Sequence, residues 1–177
     1  MTPLLYAATQ FRLNDPTPKI GRRVERVIEV LVEHGADVNT VDSHKGAALH
    51  YLAGKGCERG VELLIANGAD VNLADPRGWT PLHHAAGTAA PGVLLLQHGA
   101  EVDARDREGQ TPLVRAASYV VERLLNGGAD PEASEFSPLL RAILSNESTN
   151  RSSYEQPDVV RALLDHGLQN GKILYRL

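Results

Sequence analysis

Two adjacent histidines, His83 and His84, follow a Thr-Pro step in the stretch GWTPLHHAA. Neighbouring imidazoles are candidates for metal ligation or for an acid/base pair, because histidine changes charge near neutral pH and binds metals through either ring nitrogen. A metal site needs three or four convergent ligands, and the sequence places no third one near this pair. Cys57 is the single cysteine, with Lys55 and Arg59 close by. Cations of that kind lower a thiol pKa. No dedicated base accompanies them, so an ordinary turn cysteine is expected. GLQNGKI at 167–173 has the look of a phosphate loop, but it is one residue short and carries Ile173 where Ser or Thr would hold magnesium. His-Glu-x-x-His, Gly-x-Ser-x-Gly and Cys-x-x-Cys patterns do not occur. The residues that could do chemistry therefore predict no enzyme, no cofactor and no metal centre.

The remaining histidines explain the pair. His34, His98 and His166 each precede a glycine, and His50 and His83 hold one position of a recurring motif. That motif reads TPLLYAA from Thr2, AALHYLA from Ala47, TPLHHAA from Thr80, TPLVRAA from Thr111 and SPLLRAI from Ser137. It alternates with HGADVN, NGADVN, HGAEVD, GGADPE and a partial DHGLQN, whose turn glycines are Gly35, Gly68, Gly99, Gly128 and Gly167. Two motifs recurring in register mark a repeat architecture. Thr-Pro suits a helix start, since the Thr oxygen, as at Thr80, can cap free N–H groups and proline at the first helical position loses no hydrogen bond. Leu82, Ala85 and Ala86 then share one narrow apolar face. A second run, such as Val61, Leu64 and Ile65, has helical spacing and stops at Gly68, where glycine permits a left-handed cap. ADVNLADPRG reads as an extended segment with a tight turn. Each unit is helix, turn, helix and finger, and it buries its apolar stripe only by stacking. His83 is expected to tie neighbouring units together as a structural histidine.

These motifs resemble the ankyrin repeat family. The Thr-Pro-Leu-His, Gly-Ala-Asp-Val-Asn and Asp-x-x-Gly-x-Thr patterns cover nearly the whole chain and are strongest from Gly35 to Thr111. The resemblance implies an all-α solenoid of stacked helix-turn-helix repeats with β-hairpin-like fingers. It forms a single domain over 1–177, with repeats at approximately 1–42, 43–75, 76–106, 107–133 and 134–177. RLNDPTPKIGRR is expected to be an inserted turn-rich loop at 12–23. A polar loop is expected at 145–157, and an apolar tail at 172–177 is expected to cover the last unit. The inter-helix turn of the fourth unit is expected to be short.

Partners of proteins with this pattern dock on the concave side. The fingers place His44 and Lys45, Arg77 and Trp79, and Arg107, Glu108 and Gln110 there, and the first helices add Tyr51, His84 and Arg115. Aromatic and arginine side chains are the types that anchor interfaces. Trp79 has a competing role, bracing the neighbouring finger. The expected function is a non-catalytic protein–protein interaction module that binds another protein or peptide. The alternative is a targeting or substrate-recruiting domain of a larger enzyme or effector, which the opening on TPLL without a preceding finger favours. With a net charge of −4, attraction of the whole surface to nucleic acid is not expected. Lys19, Arg22, Arg23 and Arg26 are interleaved with Glu25 and Glu29, which predicts a solvated helix face. No run of residues is long and apolar enough to span a membrane, and one cysteine fits a reducing compartment. A cytoplasmic or nuclear monomer is expected.

Overall fold

The computed structural model describes residues 2–10, 18–42, 46–116, 118–131, 133, 161–163 and 165. Among these residues all regular structure is helical. Helices α1 (Pro3–Gln10) and α2 (Pro18–Glu33) form the first pair, and α3 (Ala48–Gly54) and α4 (Glu58–Ala66) the second. The third comprises α5 (Pro81–His84), continued by a 3-10 turn over Ala85–Gly87, and α6 (Ala89–Gln97). Helices α7 (Pro112–Arg115) and α8 (Ser118–Asn126) form the fourth. Helix α3 packs on α1 and α5, and α5 on α7, giving an inner row. Helices α2, α4, α6 and α8 contact one another in series as an outer row. No described helix is long and apolar enough to cross a membrane.

The core lies between the two rows. Leu4, Leu5, Ile28, Leu49, Leu52, Leu64, Leu82, Leu95, Leu113 and Leu124 are fully buried there. Small residues at Ala8, Ala53 and Ala85 let the inner helices approach closely. Single-turn helices such as α5 and α7 have too few hydrogen bonds to be stable alone, so packing and terminal contacts hold them. The glycines that close the outer helices, Gly35, Gly68, Gly99 and Gly128, all have φ between 80° and 92°, as the left-handed caps predicted.

The fingers are tied to one another by a ladder of asparagines. The Asn39 side chain donates to the Gly68 carbonyl at 3.0 Å and accepts from Asp70 N–H at 2.9 Å. Asn72 repeats both bonds one unit on, to the Gly99 carbonyl at 3.1 Å and from Glu101 N–H at 2.8 Å. At the tips, Gly78 has φ +82°, and a Cβ there would lie 3.0 Å from the Arg107 nitrogen. Only glycine allows that approach, which lets Arg107 N–H donate to the Arg77 carbonyl at 3.1 Å.

Two expectations need correction. The segment at 12–23 is not one loop: Pro18 begins α2, so Pro18 to Arg23 are helical. The arginine cluster therefore sits on that helix, where Arg22, Arg23 and Arg26 are exposed and Arg26 pairs with Glu29 at 2.6 Å. Nor does the Thr80 hydroxyl cap a backbone N–H; it meets His83 Nδ1 at 3.0 Å, and that nitrogen also accepts Thr80 N–H at 3.1 Å. Thr2, by contrast, caps α1 through Leu5 N–H at 3.3 Å. The short turn between α7 and α8 is as expected. The loop at 145–157, the tail and GLQNGKI lie outside the described residues.

One consequence of the repeat pattern concerns Thr111, the counterpart of Thr80. Val114 stands where the third unit has His83, and the buried Thr111 hydroxyl has no hydrogen-bond partner among the described residues. A buried, unpaired hydroxyl costs about 1–3 kcal/mol. Thr111→Val keeps the shape and is expected to raise stability by about 1 kcal/mol, read as a higher urea midpoint at unchanged slope.

Candidate functional site

The adjacent histidines have different partners. His83 is buried; its Nδ1 accepts from Thr80 and its Nε2 donates to the Gln110 carbonyl of the next finger at 3.1 Å. His50 does the same one unit earlier: Nδ1 accepts from Ala47 N–H at 3.1 Å, and Nε2 faces the carbonyls of Leu73 at 2.9 Å and Trp79 at 3.2 Å. An acceptor role at Nδ1 requires the proton on Nε2, which fixes the tautomer. Both are inter-unit ties, as expected of His83. His84, off the repeat pattern, points to Asp75 Oδ2 at 3.1 Å and packs edge-on against His50 and Trp79, each at 5.3 Å. Burial, joined by the charges on His50 and Arg77, outweighs Asp75 and lowers the His84 pKa to about 4.

Every ring nitrogen of His83 is thus engaged, and no group of three metal-ligating side chains occurs among the described residues. Calorimetric titration with zinc is expected to give no one-to-one binding at micromolar concentration. Stoichiometric heat that His84→Ala abolishes would contradict this. Cys57 is buried at the start of α4, and burial pushes its thiol up to about 12. Its environment acts against the activation that neighbouring cations suggested.

Three finger aspartates organise the concave surface. Asp75 is 4% exposed; Oδ1 accepts Arg77 N–H at 2.8 Å and Trp79 N–H at 2.9 Å, and Oδ2 meets His84 and Arg77 Nη2. Asp106 holds Glu108 and Gln110 N–H in the same way, and its Oδ2 accepts Trp79 Nε1–H at 3.0 Å. Asp42 accepts Gly46 N–H at 3.1 Å and the Tyr51 hydroxyl. Site reasoning from sequence missed them. Their signal was available: each aspartate lies seven residues after a turn glycine, at 35, 68 and 99.

Around Trp79 these ties converge. The indole is half-buried, with Arg77 Cζ 3.6 Å and Arg115 Cζ 3.7 Å from its ring centroid. Beside it runs a groove of about 310 Å³ lined by Tyr51, Lys55, Trp79, His84 and Arg115, among others. Tyr51, Trp79, His84 and Arg115 are therefore brought together, with Arg77 stacked at the edge. His84 is mostly covered, its side chain 10% exposed. Arg107 and Glu108 are exposed on the next finger tip, and half-buried Gln110 binds Glu108 at 2.6 Å. His44 and Lys45 lie outside the described residues.

No curated protein matches the chain. A family model described as ankyrin repeats (three copies) matches over residues 19–106 and 49–135. These matches cover most of the chain and take in helices α2 to α8 and the ladder of fingers. The chain is a member of the ankyrin repeat family.

Proposed function

We propose that this protein holds a partner protein or peptide on its concave face, between the finger tips and the inner helices α3, α5 and α7. Ankyrin repeats are in general protein–protein interaction modules. The observation that carries the reading is the groove beside Trp79, where the indole, Tyr51 and Arg115 share one recess. A central aromatic with polar neighbours is the usual anatomy of an interface hot spot. The module acts as a non-catalytic monomer in the cytoplasm or nucleus and takes protein rather than nucleic acid.

A photo-crosslinking residue at position 107, on a finger tip, tests this against one at position 62, on the outer row. Adducts to a second protein from 107 but not from 62 are expected; the reverse pattern would contradict the proposal. With the partner in hand, Trp79→Ala is expected to weaken binding by roughly thirtyfold, equivalent to ~2 kcal/mol. Far-UV circular dichroism and thermal melting must accompany the measurement, because Trp79 also braces Asp106. Normal binding by the folded variant would place the hot spot elsewhere.

A further inference from the structure

The first helix pair is more exposed than its counterparts later in the stack. Eight residues before the turn glycines stand Val27, Gly60, Pro91 and Val120; the last three are buried, whereas Val27 is 49% exposed. Five residues before the first three of those glycines stand Val30, Leu63 and Leu94. Leu63 and Leu94 pack partly against the core, and Val30 is 37% exposed. The inner helices repeat the pattern at their first residues: Ala48, Pro81 and Pro112 are buried, and Pro3 is exposed. The difference has a structural cause. Each later outer helix is covered by the one before it: Gly60 and Leu63 of α4 line a cleft of about 230 Å³ with Arg22, Glu25, Arg26 and Glu29 of α2. Val27 and Val30 lie on the other flank of α2, sharing it with exposed Arg23 and His34 at steps of three and four residues.

We propose that this end of the stack is a second docking surface, which takes a helix pair of another protein laid alongside α1 and α2 as one more unit of the two rows. A unit that only closes a solenoid presents a polar outer face. This one presents a proline and two valines rimmed by Arg23 and His34, the anatomy of an interaction patch. Continuity with the stack defines what covers it, because the same positions in α4, α6 and α8 are packed under the outer helix of the preceding unit. Helix α4 already covers α6, whose Pro91 and Leu94 match Val27 and Val30 in place and are similar in bulk. A second copy of this chain fits less well: its described helices α2, α4 and α6 are already laid on α4, α6 and α8. The surface lies apart from the groove beside Trp79 and does not rest on the concave-face reading.

The probe is a copy of residues 47–79 (α3, α4 and their finger) joined ahead of the whole protein, so that its last residue precedes Thr2 as Trp79 precedes Thr80. The extended chain is expected to unfold in one transition, with a higher urea midpoint and a steeper slope, since the slope follows the surface exposed on unfolding. Amide exchange in α2 is expected to slow. Val27→Asp and Val30→Asp are expected to leave the midpoint of the unextended protein in place and to lower that of the extended chain, a coupling that marks direct contact. For the natural partner, photo-crosslinking residues at positions 3 and 30 of the unextended protein are expected to reach the two helices of one hairpin in a second protein. Separate transitions, with the midpoint of the unextended protein retained, would overturn the inference. So would equal losses from the Asp substitutions in both chains, which would show the face to be covered already. Cross-links from position 30 that miss a helix, or fail to form, would also overturn it. A dimer of the unextended protein, joined from position 30 to position 30 and split by Val27→Asp, would give the face to a second copy instead.

Discussion

The melting temperature is expected to fall as pH drops from 7.5 to 4.5, with the decline setting in near pH 6.5. Burial lowers the pKa values of His50, His83 and His84 below the ordinary 6.5, that of His84 to about 4. At His50 and His83 the Nδ1 that would take the proton already accepts a backbone N–H, from Ala47 and Thr80. Between the native and unfolded pKa values the unfolded chain binds more protons, so stability rises with pH there. The contribution is complete above about pH 6.5 and is lost as pH falls through the native values. For His84 alone the gap is worth roughly 3 kcal/mol at pH 7, at ~1.4 kcal/mol per unit. Burial pushes the Asp75 carboxyl up, but the N–H groups of Trp79 and Arg77 and the His84 ring outweigh it and hold it below 3.8. Its loss follows at still lower pH. Melting curves across this range check the claim. A flat profile between pH 7.5 and 5 would mean that the imidazoles titrate as if exposed. His84→Gln is expected to shallow the slope.

His50→Ala is expected to cost about 3–4 kcal/mol, among the larger effects of any single substitution in this chain. The side chain is fully buried; Nδ1 ties it to Ala47 at the start of its own helix, and Nε2 joins α3 to the carbonyls of the next finger. Its removal leaves a cavity, costing energy in proportion to its volume. It also strands the Ala47 N–H and the carbonyls of Leu73 and Trp79; unpaired buried polar groups cost ~1–3 kcal/mol each, not fully additively. Because the Trp79 carbonyl is among them, the finger that carries the indole should loosen as well. His34→Ala is the internal comparison. His34 is exposed and bonds only within its own helix end, to the Val30 carbonyl at 2.7 Å, so its loss should stay within ~0.5 kcal/mol. Urea midpoints for the two variants provide the measurement. Equal losses would show that histidines of the inner row are not ties between units.

Much of the architecture was legible because repeats announce themselves. The glycines at 35, 68, 99 and 128, the Thr-Pro starts and the Leu-x-x-Ala-Ala stripes recur in phase, and each has a local physical cause. His83 was legible for the same reason: its role follows from its position in a unit. The site was less so. Arg115 stacks on Trp79 across the boundary between a finger and the helix of another unit, a distance in sequence that no local pattern spans. His84 carries no repeat signal, so its burial against Asp75 follows only from three dimensions. The start of α2 at Pro18 was obscured by the turn-forming residues before it, although proline is a proper first helical residue. Thr111 shows the converse: it holds the repeat position of Thr80, but Val114 stands where that unit has His83.

The central claim is that partners dock on the concave face. Hydrogen exchange of the whole protein, alone and saturated with the partner identified by cross-linking, tests it most directly. Slowed exchange is expected at the finger tips, residues 75–79 and 106–110, and in α3, α5 and α7, with α2, α4, α6 and α8 unchanged. Protection confined to the outer helices would contradict the account.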